Sequence, residues 1–106
     1  MENRWSDRRE LNLGVDIFSA GEKLTSCSCQ NIGLGGTCLR LDGGRELRSD
    51  QEVELVFRVP QGDRETKYAI LSKVVWQNNQ DIGLKFQEHN TSVFRSLQEL
   101  INYRPS

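Results

Sequence analysis

An alternation of apolar and polar residues constrains the fold of this chain more than any other feature. Residues 53–59 show it most clearly, with apolar side chains at every second position and Glu54 and Arg58 on the other face. A period of two is typical of a strand with one face in a core and the other in water. Residues 11–18 and 82–86 repeat the pattern, so the chain is predicted to be mainly β.

Turn residues separate these runs at short intervals. Gly, Pro, Asn and Asp cluster at residues 42–44, 60–63 and 77–81, where they favour chain reversal. Strands linked by short turns favour a six-stranded antiparallel barrel or sandwich. The predicted strands are residues 11–18, 24–30, 37–41, 53–59, 68–76 and 82–86.

The last segment changes from the strand period to the helix period. Five apolar side chains recur there at the spacing of one helix face. Asn90 or Thr91 is a natural N-cap, because a short polar side chain can accept a hydrogen bond from a free backbone N–H. A C-terminal helix over residues 90–103 is therefore predicted to pack on the barrel. Its apolar stripe is Val93, Phe94, Leu97, Leu100 and Ile101.

Composition limits the classes of function. The chain has 106 residues, enough for one domain with one modest core. Its net charge of −1 argues against binding to a nucleic-acid polymer, which requires a basic surface. The N-terminus is charged and no apolar run could span a bilayer, so we expect a cytoplasmic protein without membrane insertion.

Residue types that support catalysis or metal binding are sparse. The three cysteines cannot form a closed set of disulfides, and His89 is the only histidine. No nucleophile, carboxylate pair or set of metal ligands occurs at a recognisable spacing. We therefore expect reduced structural thiols, no metal, no cofactor and no enzymatic activity.

Two arginines with three residues between them precede the first predicted strand. Arg4 and Arg8 each carry a planar fork of donors that fits a guanine edge or a phosphate. Arg9 is a further candidate for a phosphate contact. The alternative is that all three are solvated charges of a frayed terminus.

A glycine-rich turn or bulge is predicted at residues 31–36, whose sequence is N-I-G-L-G-G. Asn31 can bond a guanine edge or shape the loop as an Asx-turn. Gly33, Gly35 and Gly36 are expected to serve backbone geometry, with a positive φ at one or more of them. Backbone N–H groups can then approach an anion. The alternative is a simple β-bulge.

Trp76 is a candidate for stacking on a base, because it lies near the end of a predicted strand. The alternative is a core or barrel-rim residue, because an unbroken alternation places Trp76 on the same face as Tyr68, Ile70 and Val74, and this favours the core if that face is inward. The sequence leaves both interpretations open.

These features, in this order, resemble the PilZ domain family. That family has an R-x-x-x-R motif directly before its first strand, matched here by Arg4 and Arg8. Its second motif, D/N-x-S-x-x-G, is matched at the first and last positions by Asn31 and Gly36. Residues 74–86 resemble the family's late hairpin, which ends in G-x-x-F. The resemblance covers almost the whole chain.

The resemblance implies binding of cyclic di-GMP, a bacterial second messenger. The two arginines would hold its guanine Hoogsteen edges and phosphates, with Asn31, Gly36 and Trp76 beside them. Gly33 is a departure, because the family has a serine there whose hydroxyl helps to hold the ligand. Losing one neutral hydrogen bond costs about 0.5–1.5 kcal/mol, which need not abolish binding.

The resemblance also implies an organisation and a role. We expect a single domain and a stand-alone receptor whose N-terminal arm becomes ordered when the ligand binds, which signals to a downstream partner protein. A homodimer is compatible with this role. The alternative is a PilZ-like adaptor that binds protein rather than nucleotide, as in type IV pilus systems. Within residues 1–106, the expected parts are an arm at 1–10, a mainly β barrel at 11–88 and a helix at 90–103.

Overall fold

Residues 9–10, 13–41, 46–87 and 91–102 are described in the computed structural model of the chain. Together they form one antiparallel sheet and a helix. The elements are β1 (Arg9–Glu10), β2 (Gly14–Ser19), β3 (Glu22–Ile32), β4 (Gly36–Leu41), β5 (Glu52–Gln61), β6 (Arg64–Asn78), β7 (Asp81–Phe86) and α1 (Thr91–Ile101).

The sheet closes into a barrel. Its strand order is β1-β3-β2-β5-β6-β7-β4, and β4 pairs again with β3. That last pairing sets Cys27 opposite Leu41 and Ile32 opposite Thr37, and it closes β2 to β7 into a ring of six strands. The two-residue β1 pairs with the end of β3. The predicted six-stranded antiparallel barrel with a C-terminal helix is confirmed.

The alternation in the strands produces the core. In β5 the inward side chains Val53, Leu55, Phe57 and Val59 are at most 2% exposed. Each large apolar side chain removed from water in this way contributes about 1.5–3 kcal/mol. Because apolar side chains fill the interior, a polar ligand has to bind on the outer wall of the barrel.

Three β-bulges interrupt the alternation in the described strands. Shifts in pairing register show an extra residue in β3 at Leu24 and at Gln30, and in β6 at Val75. A bulge changes the face on which the following side chains lie. The bulge at Val75 affects the candidate site directly, because Trp76 follows it.

Helix α1 packs on the barrel through part of the stripe predicted from its sequence, and the side chain of Phe94 lies outside the described part of the structure. Val93, Leu97 and Leu100 are buried and belong to the same core cluster as the strand residues. The Tyr68 hydroxyl of β6 donates a 2.8 Å hydrogen bond to the Glu99 carboxylate, which ties the helix to the strand. Burial, together with this carboxylate, raises the pKa of Tyr68. Within the described part of the chain, no helix is long and apolar enough to cross a membrane.

The three cysteines lie on β3 and β4 and form no disulfide. Cys27 and Cys29 are buried, and Cys38 is half-buried. Burial raises the pKa of the Cys29 thiol to about 11, although a hydrogen bond with Thr37 partly opposes the shift. Cys29 is therefore neutral near pH 7 and a poor nucleophile, because the thiolate is the reactive form.

Candidate ligand-binding site

A cleft of about 330 Å³ lies on the outer wall of the barrel, between the turn that joins β3 to β4 and the neighbouring strands β6 and β7. Its volume lies at the lower end of the range of small-molecule pockets, about 300–1,000 Å³. The cleft brings together three residues predicted from the sequence, Gly33, Gly36 and Trp76. Gly83 and Lys85 of β7 also line it.

The turn beside the cleft is held by backbone hydrogen bonds. The Gly33 N–H donates to the Gly36 carbonyl at 2.9 Å, which closes the turn. The Phe86 N–H donates to the Gly35 carbonyl at 3.0 Å, which fixes the turn to β7. Asn31 still belongs to β3, so the turn itself is shorter than the predicted segment of residues 31–36.

The glycines of this turn differ from their predicted conformation. A positive φ was expected at one or more of Gly33, Gly35 and Gly36, and that prediction is wrong. In the described residues, the glycines with a positive φ are Gly21 and Gly62, which lie in other turns. A left-handed backbone therefore does not explain these glycines, and at Gly36 the reason is a lack of space for a side chain.

Gly36 shows that requirement for space. A Cβ on this residue would collide with the Leu84 carbonyl oxygen of β7, whereas a Cβ on Gly35 would meet nothing within 4 Å. The bulge that the sequence allowed at this turn occurs earlier, at Gln30 of β3.

A small buried polar cluster holds the backbone at Asn31. The Thr37 hydroxyl donates a 2.7 Å hydrogen bond to the Asn31 carbonyl. The Cys29 thiol lies 3.4 Å from the same hydroxyl and 3.5 Å from the same carbonyl. Because satisfied buried polar groups fix local geometry, this cluster determines how β3 enters the turn.

The N-terminal segment approaches the same region. In β1, Arg9 pairs with Ile32 and Glu10 pairs with Asn31, so its backbone runs beside the end of β3. Arg4 and Arg8 lie outside the described residues, and Arg9 is described at its backbone only.

Trp76 lies on the outer wall and not in the core. The residue is 46% exposed, although Val74 two residues earlier is buried. The cause is the extra residue at Val75, after which Trp76 pairs with Gly83 instead of continuing the inward face. The interpretation of Trp76 as a core residue, based on unbroken alternation, is therefore wrong.

Positive charge borders the cleft. Lys85 lines it and stands directly opposite Lys73 across the β6–β7 pair. Lys73 also stands opposite Glu52 of β5, which offsets the repulsion between the two lysines. The charge that favours an anion at the cleft is therefore that of Lys85. Sequence reasoning missed Lys85 and Gly83 as site residues. Their alternation with Ile82, Leu84 and Phe86 is the signal that could have placed them on the outer wall.

Comparison with known proteins identifies the fold. The sequence model of the PilZ domain family matches residues 2–103. No curated protein matches the sequence. Solved structures that share the fold include the inhibitor of motility MotI/DgrA of Bacillus subtilis, with a TM-score of 0.73 at 18% identity. The PilZ domain of YcgR from Escherichia coli, solved with c-di-GMP, matches with a TM-score of 0.77 at 13% identity. The PilZ domain of CeSA from a cellulose-synthesizing bacterium matches with a TM-score of 0.70 at 13% identity.

The extent of these matches differs. The superposition with MotI/DgrA covers 95% of this chain and 50% of that chain, so this chain spans half the length of that relative. The superposition with the YcgR domain covers 94% of this chain and 89% of that chain. The superposition with the CeSA domain covers 91% of this chain and 95% of that chain. At these identities the structural likeness shows the fold.

Proposed function

This chain belongs to the PilZ domain family, and from that premise we propose that it is a receptor for cyclic di-GMP that signals to a partner protein. The observation that supports the proposal is the position of β1. Its backbone pairs with Asn31 and Ile32, next to the cleft lined by Gly33, Gly36 and Trp76. The R-x-x-x-R motif ends at Arg8, the residue before this strand.

The chemistry of the cleft suits a purine base beside a phosphate. A base stacked on Trp76 contributes about 1–3 kcal/mol. Lys85 supplies positive charge within the cleft, and Asn31, which does not line the cleft but pairs with Glu10 of β1, offers both a donor and an acceptor to a guanine edge. A bidentate contact between Arg4 or Arg8 and guanine adds about 1–3 kcal/mol of discrimination.

The size of the cleft gives the N-terminal arm a role. A cavity of about 330 Å³ suits one base and its phosphate better than a whole cyclic dinucleotide. We therefore assign the other contacts to the arm, with Arg4, Arg8 and Arg9 on the ligand. Binding would order the arm and change the surface that a cytoplasmic partner protein contacts.

Calorimetric titration with cyclic di-GMP tests the proposal. We expect micromolar or tighter binding by the wild-type protein and loss of binding in Arg4→Ala and Arg8→Ala. Arg64→Ala is the matched control, because Arg64 lies at the opposite end of β6 from Trp76. Absence of binding by the wild-type protein would refute the receptor function. Equal affinity in all four proteins would refute the role of the motif.

Hydrogen–deuterium exchange tests the ordering of the arm separately. The amides of residues 1–10 should gain protection when cyclic di-GMP is added, while those of β5 should be unchanged. Equal protection of the arm with and without ligand would contradict this part of the proposal.

A second candidate function rests on Gly33. Because this position lacks the serine hydroxyl of the family motif, the chain could act as an adaptor that binds protein and no nucleotide. A wild-type protein that shows neither heat nor thermal stabilisation at high cyclic di-GMP would favour the adaptor.

A further inference from the structure

We propose that Gly83 is a positioning residue, which seats the Trp76 indole as one wall of the cleft and thereby sets the affinity for a planar base. This inference deepens the proposed function and depends on it for the identity of the ligand. The seating of the indole itself is a property of the free protein.

The bulge in β6 is the first observation. Val74 pairs with Leu84 and Trp76 pairs with Gly83, so Val75 is an extra residue between them. Without it, Trp76 would continue the inward face of Ile70 and Val74. The bulge instead moves a large aromatic side chain out of the core, and bulges are over-represented next to binding sites.

Gly83 is the second observation. A Cβ built on it would collide with Nε1 and Cε2 of the Trp76 indole and would lie 2.9 Å from Cζ2. The indole thus lies across the glycine. An aromatic side chain that covers a cross-strand glycine is a known way to stabilise a glycine in a sheet.

The backbone of Gly83 does not explain the glycine. Its φ lies outside the left-handed region, so a residue with a side chain could adopt the same conformation. Gly36 is different, because there a Cβ would meet the backbone of β7. At Gly83 the obstacle is the indole, which a side chain would displace.

The two features act on one side chain. The bulge brings Trp76 to the outer wall, and Gly83 lets the indole lie against β7 while 46% of the residue stays exposed. Trp76 lines the cleft. An aromatic surface held in place before the ligand arrives needs little further ordering, and affinity rises when such ordering is avoided.

The test compares Gly83→Ala with its parent in a Trp5→Phe background, where Trp76 is the only tryptophan. Without ligand, we expect the variant to fold, because the indole can rotate away from the new methyl group. Trp76 emission should shift to the red and acrylamide quenching should increase. Cyclic di-GMP should then bind about tenfold more weakly, within the range for one stacked base.

A double-mutant cycle separates positioning from general damage. In a Trp76→Ala background, Gly83→Ala should change the affinity by no more than about twofold, because no indole remains to be displaced. If Gly83→Ala alone fails to fold, removing the indole in the double variant should restore folding.

Each outcome supports or refutes the proposal. Unchanged Trp76 emission and quenching in Gly83→Ala would refute the claim that Gly83 holds the indole in place. An equal loss of affinity with and without Trp76 would overturn the positioning role, as would a double variant that stays unfolded. If the wild-type protein binds no cyclic di-GMP, the proposed function fails, whereas the emission measurement still decides whether the indole lies against Gly83.

Discussion

Replacing Gly36 with alanine tests how the turn is joined to the barrel wall. Gly36 begins β4, is buried and pairs with Lys85 of β7. A new Cβ would collide with the Leu84 carbonyl oxygen and would lie 3.3 Å from its carbon and 3.4 Å from the Lys85 Cα. All three are backbone atoms, so no side-chain rotation can relieve the contact. One of the two strands has to move.

The expected loss of stability follows from that geometry. Overpacking of a site that cannot relax costs about 1–3 kcal/mol. The free energy of unfolding of a single domain is about 5–15 kcal/mol, so the loss is a large fraction of the total. At about 4–8 °C for each kcal/mol, the Tm should fall by about 4–24 °C.

Urea unfolding followed by circular dichroism measures this loss. The matched control is Gly35→Ala, one residue earlier, where a Cβ meets open space and the backbone is not left-handed. Its free energy of unfolding should stay within about 0.5 kcal/mol of the wild-type value. A Gly36→Ala protein as stable as the wild type, or an equal loss in Gly35→Ala, would refute the reasoning.

Three further predictions concern affinity, helix packing and pH. Gly33→Ser restores the hydroxyl of the family motif and so adds one hydrogen bond of about 0.5–1.5 kcal/mol. Calorimetry should then show that cyclic di-GMP binds up to about tenfold more tightly. An unchanged affinity would mean that this position does not contact the ligand. Leu97→Ala removes most of a buried side chain between helix and barrel and should lower the free energy of unfolding by about 2–5 kcal/mol. A loss as small as that of an exposed residue would contradict the burial of Leu97 between helix and barrel. Folding raises the pKa of Cys29 from 9.0 to about 11, so the folded state holds the proton more tightly and stability should fall as pH rises from 9 to 11. Cys29→Ala should flatten that slope in urea unfolding at each pH, and an unchanged slope would contradict it.

The strands could be predicted because their signal is local. The alternation in residues 53–59 depends only on which side chains face the core, and all four inward residues are buried. The helix was predictable for the same reason, since Val93, Leu97 and Leu100 lie on one face. The residue pattern alone left a barrel and a sandwich open, because closure depends on pairing between β3 and β4, and the resemblance to the PilZ family selected the barrel.

The cleft could be predicted only in part. Gly33, Gly36 and Trp76 were identified from motif and residue type, and they line one cavity. The orientation of Trp76 was not predictable, because a single extra residue at Val75 reverses the pattern without a recognisable sequence signal. The role of Gly83 depends on a cross-strand neighbour, which becomes apparent only when β6 and β7 are paired.

A nitrogen-15 chemical-shift titration with cyclic di-GMP tests the central claim most directly, namely that this ligand binds in the cleft between the turn and Trp76. The largest changes should occur at the amides of Gly33, Gly35 and Gly83 and at the indole N–H of Trp76. The opposite wall, formed by β2 and β5, should change little. Changes concentrated on that opposite wall, or no changes at saturating ligand, would contradict the account.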